Sequence, residues 1–293
     1  MTIIAGFSSS RQGSAPLNLA AQLSRTTVEK VIATAIVERA LPPGIDPIED
    51  EYQGFVSAQA AASLERVVAA TGGEDVSVIV HESTSIPMGL MDLVDQHNAD
   101  LVVVGSSSSG LLGRVALGSV TERLVHTAAV PVAIAPRGYA LSPVPIKRLT
   151  AAYGGAADAV GLIQSSAELA KRWSVQLRIA SFTVRPPTTF GGSIESSAEN
   201  LVIQKWTRKT MDAALKQLNQ ARDNVAIPDV DVVIGAGTDW AEAVGNIAWE
   251  SGDMLLLGSG AAGPMAQVFL GTAASKILRH TPVPVMILPR HQI

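Results

Sequence analysis

The sequence predicts an α/β protein of two tandem doubly wound domains, each a five-stranded parallel sheet flanked by helices, and three observations lead there. The first is an internal repeat. Aligning Gly105 with Gly258, an offset of 153, brings Asp100 onto Asp253, Ser106 onto Ser259, Gly110 onto Gly263, Val115 onto Val268, Leu117 onto Leu270 and Gly118 onto Gly271. The register holds to the end of each half, where Val130, Pro131, Val132, Ile134, Pro136 and Arg137 fall on Val283, Pro284, Val285, Ile287, Pro289 and Arg290. A loop, a helix and a Pro-Val-bounded strand recurring at one register imply one domain copied twice. The second is alternation of strand-like and helix-like segments, which implies a parallel sheet with right-handed crossovers. The third is composition: 47% hydrophobic residues with only 4% aromatics means cores of Ala, Val, Leu and Ile, as in sheets covered on both faces.

The elements follow in order. Short apolar runs bounded by turn residues predict strands over 2–7, 31–37, 76–80, 101–104 and 132–135. Between them, Leu17, Ala20, Ala21 and Leu23, then Ala61, Leu64, Val67 and Val68, then Leu90, Leu93, Val94 and His97, then Val120, Leu124 and Val125 recur at helical spacing. The second half repeats the pattern, with strands over 149–153, 175–184, 230–234, 254–257 and 285–288. Its first strand fits an offset of 146, Ile3 onto Leu149, so seven extra residues lie inside the second copy, placed at 185–197 by Pro186, Pro187, Gly191 and Gly192. The domains are therefore expected at 1–137 and 148–293, with 138–147, containing Pro143 and Pro145, as linker. Each last strand follows a proline, Pro131 or Pro284, which marks it as an edge strand. Two apolar edges in one chain would cover each other across a pseudo-twofold axis, giving an intramolecular pseudo-dimer of the halves.

Charge and composition exclude several function classes. With 22 Lys+Arg against 26 Asp+Glu, there is no basic footprint for nucleic acid. The absence of cysteine removes disulfides, thiolate nucleophiles and cysteine-ligated metal, and a cytoplasmic location is expected. No leader and no membrane span are expected either. His81, His97, His126, His280 and His291 show no metal-ligand spacing, so no metal is expected. Asp92 and Asp95 read as one wet helix face, residues 46–51 as an acidic loop and helix start, and Lys205, Trp206, Arg208 and Lys209 as a solvated basic turn.

The chemistry concentrates in the glycine loops after each fourth strand. Each loop leads into a helix that opens Gly118-Ser119 or Gly271-Thr272. In an open parallel sheet, ligands bind beyond the carboxyl ends of the strands where strand order reverses, and helix N-terminal amides there favour anions. A phosphate site is expected at such a loop, although a Gly-rich turn with a capped helix would read the same way. Three familiar motifs fail on context. Gly258-Ser259-Gly260-Ala261-Ala262-Gly263 satisfies the dinucleotide pattern, but no acidic residue follows Asp253 to hold a ribose. Gly105 and Gly110 have P-loop spacing, but Leu111 and Leu112 stand where Lys and Ser/Thr are required. The serine runs 8–10 and 106–109 lie in no nucleophile elbow.

These residues resemble the universal stress proteins, UspA-like, in their tandem two-domain form. The family's ATP-binding members carry Gly-2x-Gly-9x-Gly-Ser/Thr after the fourth strand. Here Gly105, the nine residues 109–117 and Gly118-Ser119 match that frame, as do Gly258, the nine residues 262–270 and Gly271-Thr272. The resemblance implies an adenine nucleotide alpha hydrolase-like fold and an adenine-nucleotide site formed by Ser8, Gly105, Ser106, Ser108, Gly110, Arg114, Gly118 and Ser119 in the first half. In the second half the corresponding residues are Gly258, Ser259, Gly260, Gly271 and Thr272.

Two departures qualify that implication. The family's second glycine is Ser108 in one copy and Ala261 in the other, where a positive φ would be strained. The family's aspartate at the end of strand one, an acceptor for the nucleoside, is Ser8 or Gly154. Losing a charged acceptor costs about 1.5–3 kcal/mol, roughly ten- to a hundredfold in affinity. The expected function is therefore a non-catalytic stress-response protein with weak or vestigial ATP binding and no required cofactor. The alternative is a ligand-free tandem scaffold acting through protein contacts, and a homodimer of the whole chain is left open. A nucleotide hydrolase or ligase of related fold would need a Ser-Gly-Gly-x-Asp-Ser loop after strand one, which residues 8–13 lack.

Overall fold

The computed structural model describes residues 2–8, 13–39, 47–71, 76–154, 159–184, 230–258, 260–261, 268–269 and 271–289, with a few positions between 205 and 219. The first half runs β1 (Thr2–Phe7), α1 (Ser14–Thr27), β2 (Lys30–Glu38), α2 (Pro47–Thr71), β3 (Val76–Ser83), α3 (Ile86–His97), β4 (Leu101–Gly105), α4 (Ser119–Thr127) and β5 (Val132–Ala135). The second runs β6 (Arg148–Ala152), α5 (Ala159–Trp173), β7 (Gln176–Val184), β8 (Val230–Gly237), α6 (Trp240–Gly245) and β9 (Asp253–Gly258). It ends with β10 (Gly260–Ala261), β11 (Val268–Phe269), α7 (Thr272–His280) and β12 (Val285–Leu288). The insertion expected at 185–197 lies outside the described residues.

Strand order is β3-β2-β1-β4-β5-β12-β9-β6-β7-β8 in one ten-stranded sheet. Within each half of this sheet every pair is parallel, with β10 and β11 forming a separate antiparallel pair, and the halves join where β5 and β12 run antiparallel, Ile134 opposite Val285 and Val132 opposite Ile287. The two fifth strands cover each other as expected, but by pairing into one continuous sheet in place of two separate five-stranded ones: β5 is hydrogen-bonded to β4 on one side and β12 on the other, so neither fifth strand is left as an edge. Pro131 and Pro284 permit this because each stands just ahead of the ladder and contributes only its carbonyl, to Val102 N at 3.1 Å and Leu255 N at 2.9 Å. Both strands are buried throughout.

Alternation along the strands sends Ile3 and Ala5 to one face of the sheet and Ile4 to the other. The first face is covered by α1, α2 and α5, the second by α3, α4, α6 and α7. Each core layer draws on both halves: Leu19 and Leu101 pack in the same layer as Leu149 and Met286, and Leu90 and Ile134 in the same layer as Leu255 and Ile287. The sheet junction is thus part of the core rather than a contact between finished domains.

The repeat also governs helix ends. Val28 closes α1 in the left-handed region at φ 58°, and Ser174, its counterpart at the 146 offset, closes α5 at φ 54°. A β-branched residue pays roughly 1–2 kcal/mol there, and Val28, 92% exposed, has little packing to offset it. Val28→Gly is expected to raise stability by about 0.5–1 kcal/mol in urea denaturation. An unchanged midpoint would show that the strain is not stored at this cap.

Candidate functional site

Strand order reverses between β1 and β4. The chain leaves β1 through α1 toward β2 on one side, and leaves β4 toward α4 and β5 on the other, so the two loops diverge and open a cleft at the carboxyl ends of the strands. The cleft has a volume of about 350 Å3, within the range of small-ligand pockets, roughly 300–1,000 Å3. Its floor is Gly6, Thr34 and Val104, and one wall is Ile86 and Leu90 of α3. The opposite wall is the glycine loop and the first turn of α4.

Of the residues expected from sequence, Ser8, Gly105, Ser106, Ser108, Gly118 and Ser119 come together on this cleft. Ser8 is held at the mouth because Gly13 approaches it so closely that a Cβ there would stand 2.0 Å from the Ser8 carbonyl oxygen. Gly118 is the N-cap of α4 in extended conformation, and no side chain caps the helix, so its first-turn amides face the cleft as an anion-favouring end. The Ser106 hydroxyl accepts from Ala116 N at 2.7 Å and donates to Ala116 O at 3.1 Å. It therefore staples the two sides of the loop. Ser108 is not in the left-handed region, and the loop's positive φ falls instead on Gly113 at 71°, so the side chain at the family's second glycine position is accommodated without backbone strain.

Gly110 and Arg114 are placed elsewhere, at the loop's outer turn. The Gly110 carbonyl accepts from Arg137 Nη1 at 2.6 Å, and the Arg114 carbonyl accepts from Arg137 N at 2.9 Å. They fasten the loop to the start of the linker and do not line the cleft. Three lining residues escaped the sequence reading. Ser107 N donates to Ala116 O at 2.7 Å, and Thr121 Oγ1 donates to the Gly105 carbonyl at 3.1 Å, locking α4 to the end of β4. Thr34 is fully buried on β2 and its Oγ1 has no hydrogen-bond partner. A buried hydroxyl left unpaired costs about 1–3 kcal/mol, which a polar ligand atom in the cleft would recover. No sequence signal separates Thr34 from an ordinary β-forming residue.

None of the described lining residues is charged. The cleft can therefore offer amides, hydroxyls and an apolar wall to a nucleotide, but neither a carboxylate for the ribose nor a cation for the phosphates. Among the described residues there is no cluster of His, Cys, Asp and Glu able to hold a metal ion. Asp92, expected on a wet face, receives Ser83 Oγ at 3.4 Å and stands 3.5 Å from His81 Nε2, away from the cleft.

The second half places Gly154, Gly258, Gly271 and Thr272 at the corresponding corner, with Gly271 and Thr272 exposed. Gly260 and Ala261 pair with Phe269 and Val268, the same closure that Ser107 makes with Ala116 in the first loop. The counterparts of Thr34 and Thr121 are Ala180 and Ala274, so both hydroxyls are missing. Ser259 and Pro264 lie outside the described residues.

The sequence profile of the universal stress protein family matches residues 1–136 and again 145–289. The chain belongs to the universal stress protein family. A universal stress protein of Mycobacterium tuberculosis is 33% identical over 298 residues, covering 99% of this chain and 100% of its own length. A putative universal stress protein of Pseudomonas aeruginosa shares the fold at a TM-score of 0.54 and 13% identity, over 99% of this chain and 93% of that one. One from Archaeoglobus fulgidus does so at 0.54 and 17% identity, over 99% and 97%. These full-length matches agree with a universal stress protein in tandem form. No helix among the described residues is long and apolar enough to cross a membrane.

Proposed function

We propose that this universal stress protein is a non-catalytic, cytoplasmic stress-response protein that retains weak adenine-nucleotide binding in its first half only. Its functional units are residues 1–137 and 148–293, with 138–147 joining them. The observation that carries this reading is the first-half cleft: it has the uncapped α4 end and glycine loop that suit a phosphate, and an unpaired Thr34 hydroxyl, yet no charged residue among those described lines it. A nucleotide there would be held by the amides of Ser119 and Val120, by Ser8 and Thr34, and by the apolar wall of Ile86 and Leu90. Metal and catalytic groups have no part in the reading.

Calorimetry with ATP is expected to give a dissociation constant above about 10 μM, at no more than one site per chain, because neither half has a charged acceptor at the position of Ser8 or Gly154. Stoichiometric ATP retained through purification in both halves would overturn it. The ligand-free scaffold remains the second reading, favoured by the Ser106 staple, which closes the glycine loop on itself without any ligand. No heat with ATP, ADP or AMP, together with an empty small-molecule mass spectrum of the native protein, would select it.

A further inference from the structure

The pseudo-twofold axis relates two grooves at the junction of the halves, and the repeat allows them to be compared residue by residue. One lies between α1 and the rim of the second half at Gly252, and the linker runs along it. Asn18 Nδ2 donates to the Tyr139 carbonyl at 2.9 Å and Gln22 Nε2 to the Val144 carbonyl at 2.7 Å. Arg25 donates to the Ser142 carbonyl, and Ile146 N donates to Thr26 Oγ1 at 2.8 Å. Tyr139 Oη donates to Gln22 Oε1 at 2.5 Å, and Ile146 is buried in the core. Residues 139–146 are thus a peptide held by one polar face of a helix.

The other groove lies between α5 and the first half. The 146 offset, fixed in space by the matching left-handed caps at Val28 and Ser174, puts Gln164, Glu168, Lys171 and Arg172 where Asn18, Gln22, Arg25 and Thr26 stand. Here the described residues leave a cleft of about 220 Å3, lined by Glu168, Arg172 and Trp173 from the second half and by Glu29, Asp100 and Pro131 from the first. We propose that this groove binds an extended basic peptide segment of a partner protein, laid along α5 as residues 139–146 are laid along α1.

Three features select that occupant. The volume is below the roughly 300–1,000 Å3 of small-molecule pockets, so it suits one anchoring side chain with its backbone, not a nucleotide. Three carboxylates, Glu29, Asp100 and Glu168, face one guanidinium, Arg172, on the lining, which favours a cationic partner. The polar roles are also exchanged. Gln22 donates to a backbone carbonyl, whereas ionised Glu168 only accepts; Thr26 accepts a backbone N–H, whereas Arg172 only donates. Gln164 Nε2 donates to Glu168 Oε1 at 3.2 Å, so the pair equivalent to the linker's two main anchors is turned on itself. A segment offering a cation to Glu168 would gain a partner there. Burial raises the Glu29 carboxyl above its usual range, the N-terminal ammonium and Arg172 opposing the effect and Asp100 adding to it.

The test is a titration of the full chain with a synthetic peptide of the sequence of residues 137–147, which carries Arg137 and Lys147, and with the same peptide bearing glutamate at both positions. Trp173 in the groove gives a fluorescence signal, and calorimetry gives affinity. The basic peptide is expected to bind at least about tenfold more tightly than the acidic one at low salt, with the gap narrowing as salt screens it. Glu29→Gln with Glu168→Gln should reduce the ratio to about threefold or less, with the circular dichroism spectrum unchanged. Trp173→Phe should abolish the fluorescence response while calorimetric binding persists. Equal affinities for the two peptides, or no binding of either, overturn the proposal. Binding that appears only after residues 290–293 are removed also overturns it, because the groove then belongs to the chain's own end. Saturating ATP should leave peptide affinity unchanged, so failure here and failure of the nucleotide reading are separate results.

Discussion

Asp253→Asn is expected to destabilise the protein by about 3–5 kcal/mol, the cost of removing one partner from a buried ion pair. Asp253, at the start of β9, and Arg178, on β7, are each 3% exposed at the side chain. Arg148 Nε and Nη2 grip the two Asp253 oxygens at 2.8 Å each, Arg178 Nη2 reaches Oδ2 at 3.3 Å, and Glu250 N donates to the same oxygen at 2.9 Å. Arg178 is further held by Thr150 Oγ1 at 3.1 Å, by the Ala248 carbonyl at 2.8 Å and over the Trp249 ring at 5.0 Å. Burial pushes the Arg178 guanidinium below its ordinary range, and Asp253 is the main opposing influence. The amide keeps the shape but leaves two guanidiniums facing Glu250, whose side chain is 70% exposed. Against a total stability of about 5–15 kcal/mol, that is a large share.

The first half supplies the control for this reading. Its residues at the positions of Arg148, Arg178 and Asp253 are Thr2, Ile32 and Asp100, so the same fold stands without the ion network. Replacing a whole buried ion set by apolar or neutral groups is often nearly neutral. Arg148→Thr, Arg178→Ile and Asp253→Asn together should therefore be at least about 2 kcal/mol more stable than Asp253→Asn alone. Urea denaturation of the parent, the single and the triple variant settles the point. A loss below about 1 kcal/mol for Asp253→Asn would mean that no buried charge is left uncompensated, and a triple variant worse than the single would mean that the network contributes to stability beyond charge pairing.

What could be read from sequence, and what could not, divides along physical lines. Strands buried on both faces are near-continuous apolar runs, so β1, β5 and β12 have the bounds expected from sequence. The repeat located the second glycine loop by position. At the junction a proline beside a strand has the pattern of an edge, but Pro131 and Pro284 stand one residue outside the ladder. The ion network joins residues 75 to 105 apart in sequence, for which no local pattern exists. Its one available signal was a charged residue, Arg178, inside the apolar run of β7. Likewise Asn18 and Gln22, polar and buried on α1, marked the face that receives the linker. The cleft was legible as a glycine loop before a helix, but its neutrality depends on Arg114 and Arg137 turning to the outer side of the loop, which spacing does not show.

That neutrality makes restoration the most direct test of the nucleotide reading. Ser8→Asp with Ser108→Gly returns both family features to the first half, and ATP affinity is expected to rise by roughly tenfold or more. Because Ser108 is not in the left-handed region, its change relieves no backbone strain and only clears a side chain from the loop. Most of the gain should therefore appear in Ser8→Asp alone, which places a charged acceptor at the mouth of a cleft that has none among the described residues. The matching pair in the second half, Gly154→Asp with Ala261→Gly, should gain less. Ala180 and Ala274 stand where the first half has Thr34 and Thr121, and Pro264 has no amide to donate from its loop. Calorimetry on the parent and the two double variants decides the matter. If neither variant binds ATP measurably better than the parent, the glycine loops are structural turns, and the protein acts as a scaffold.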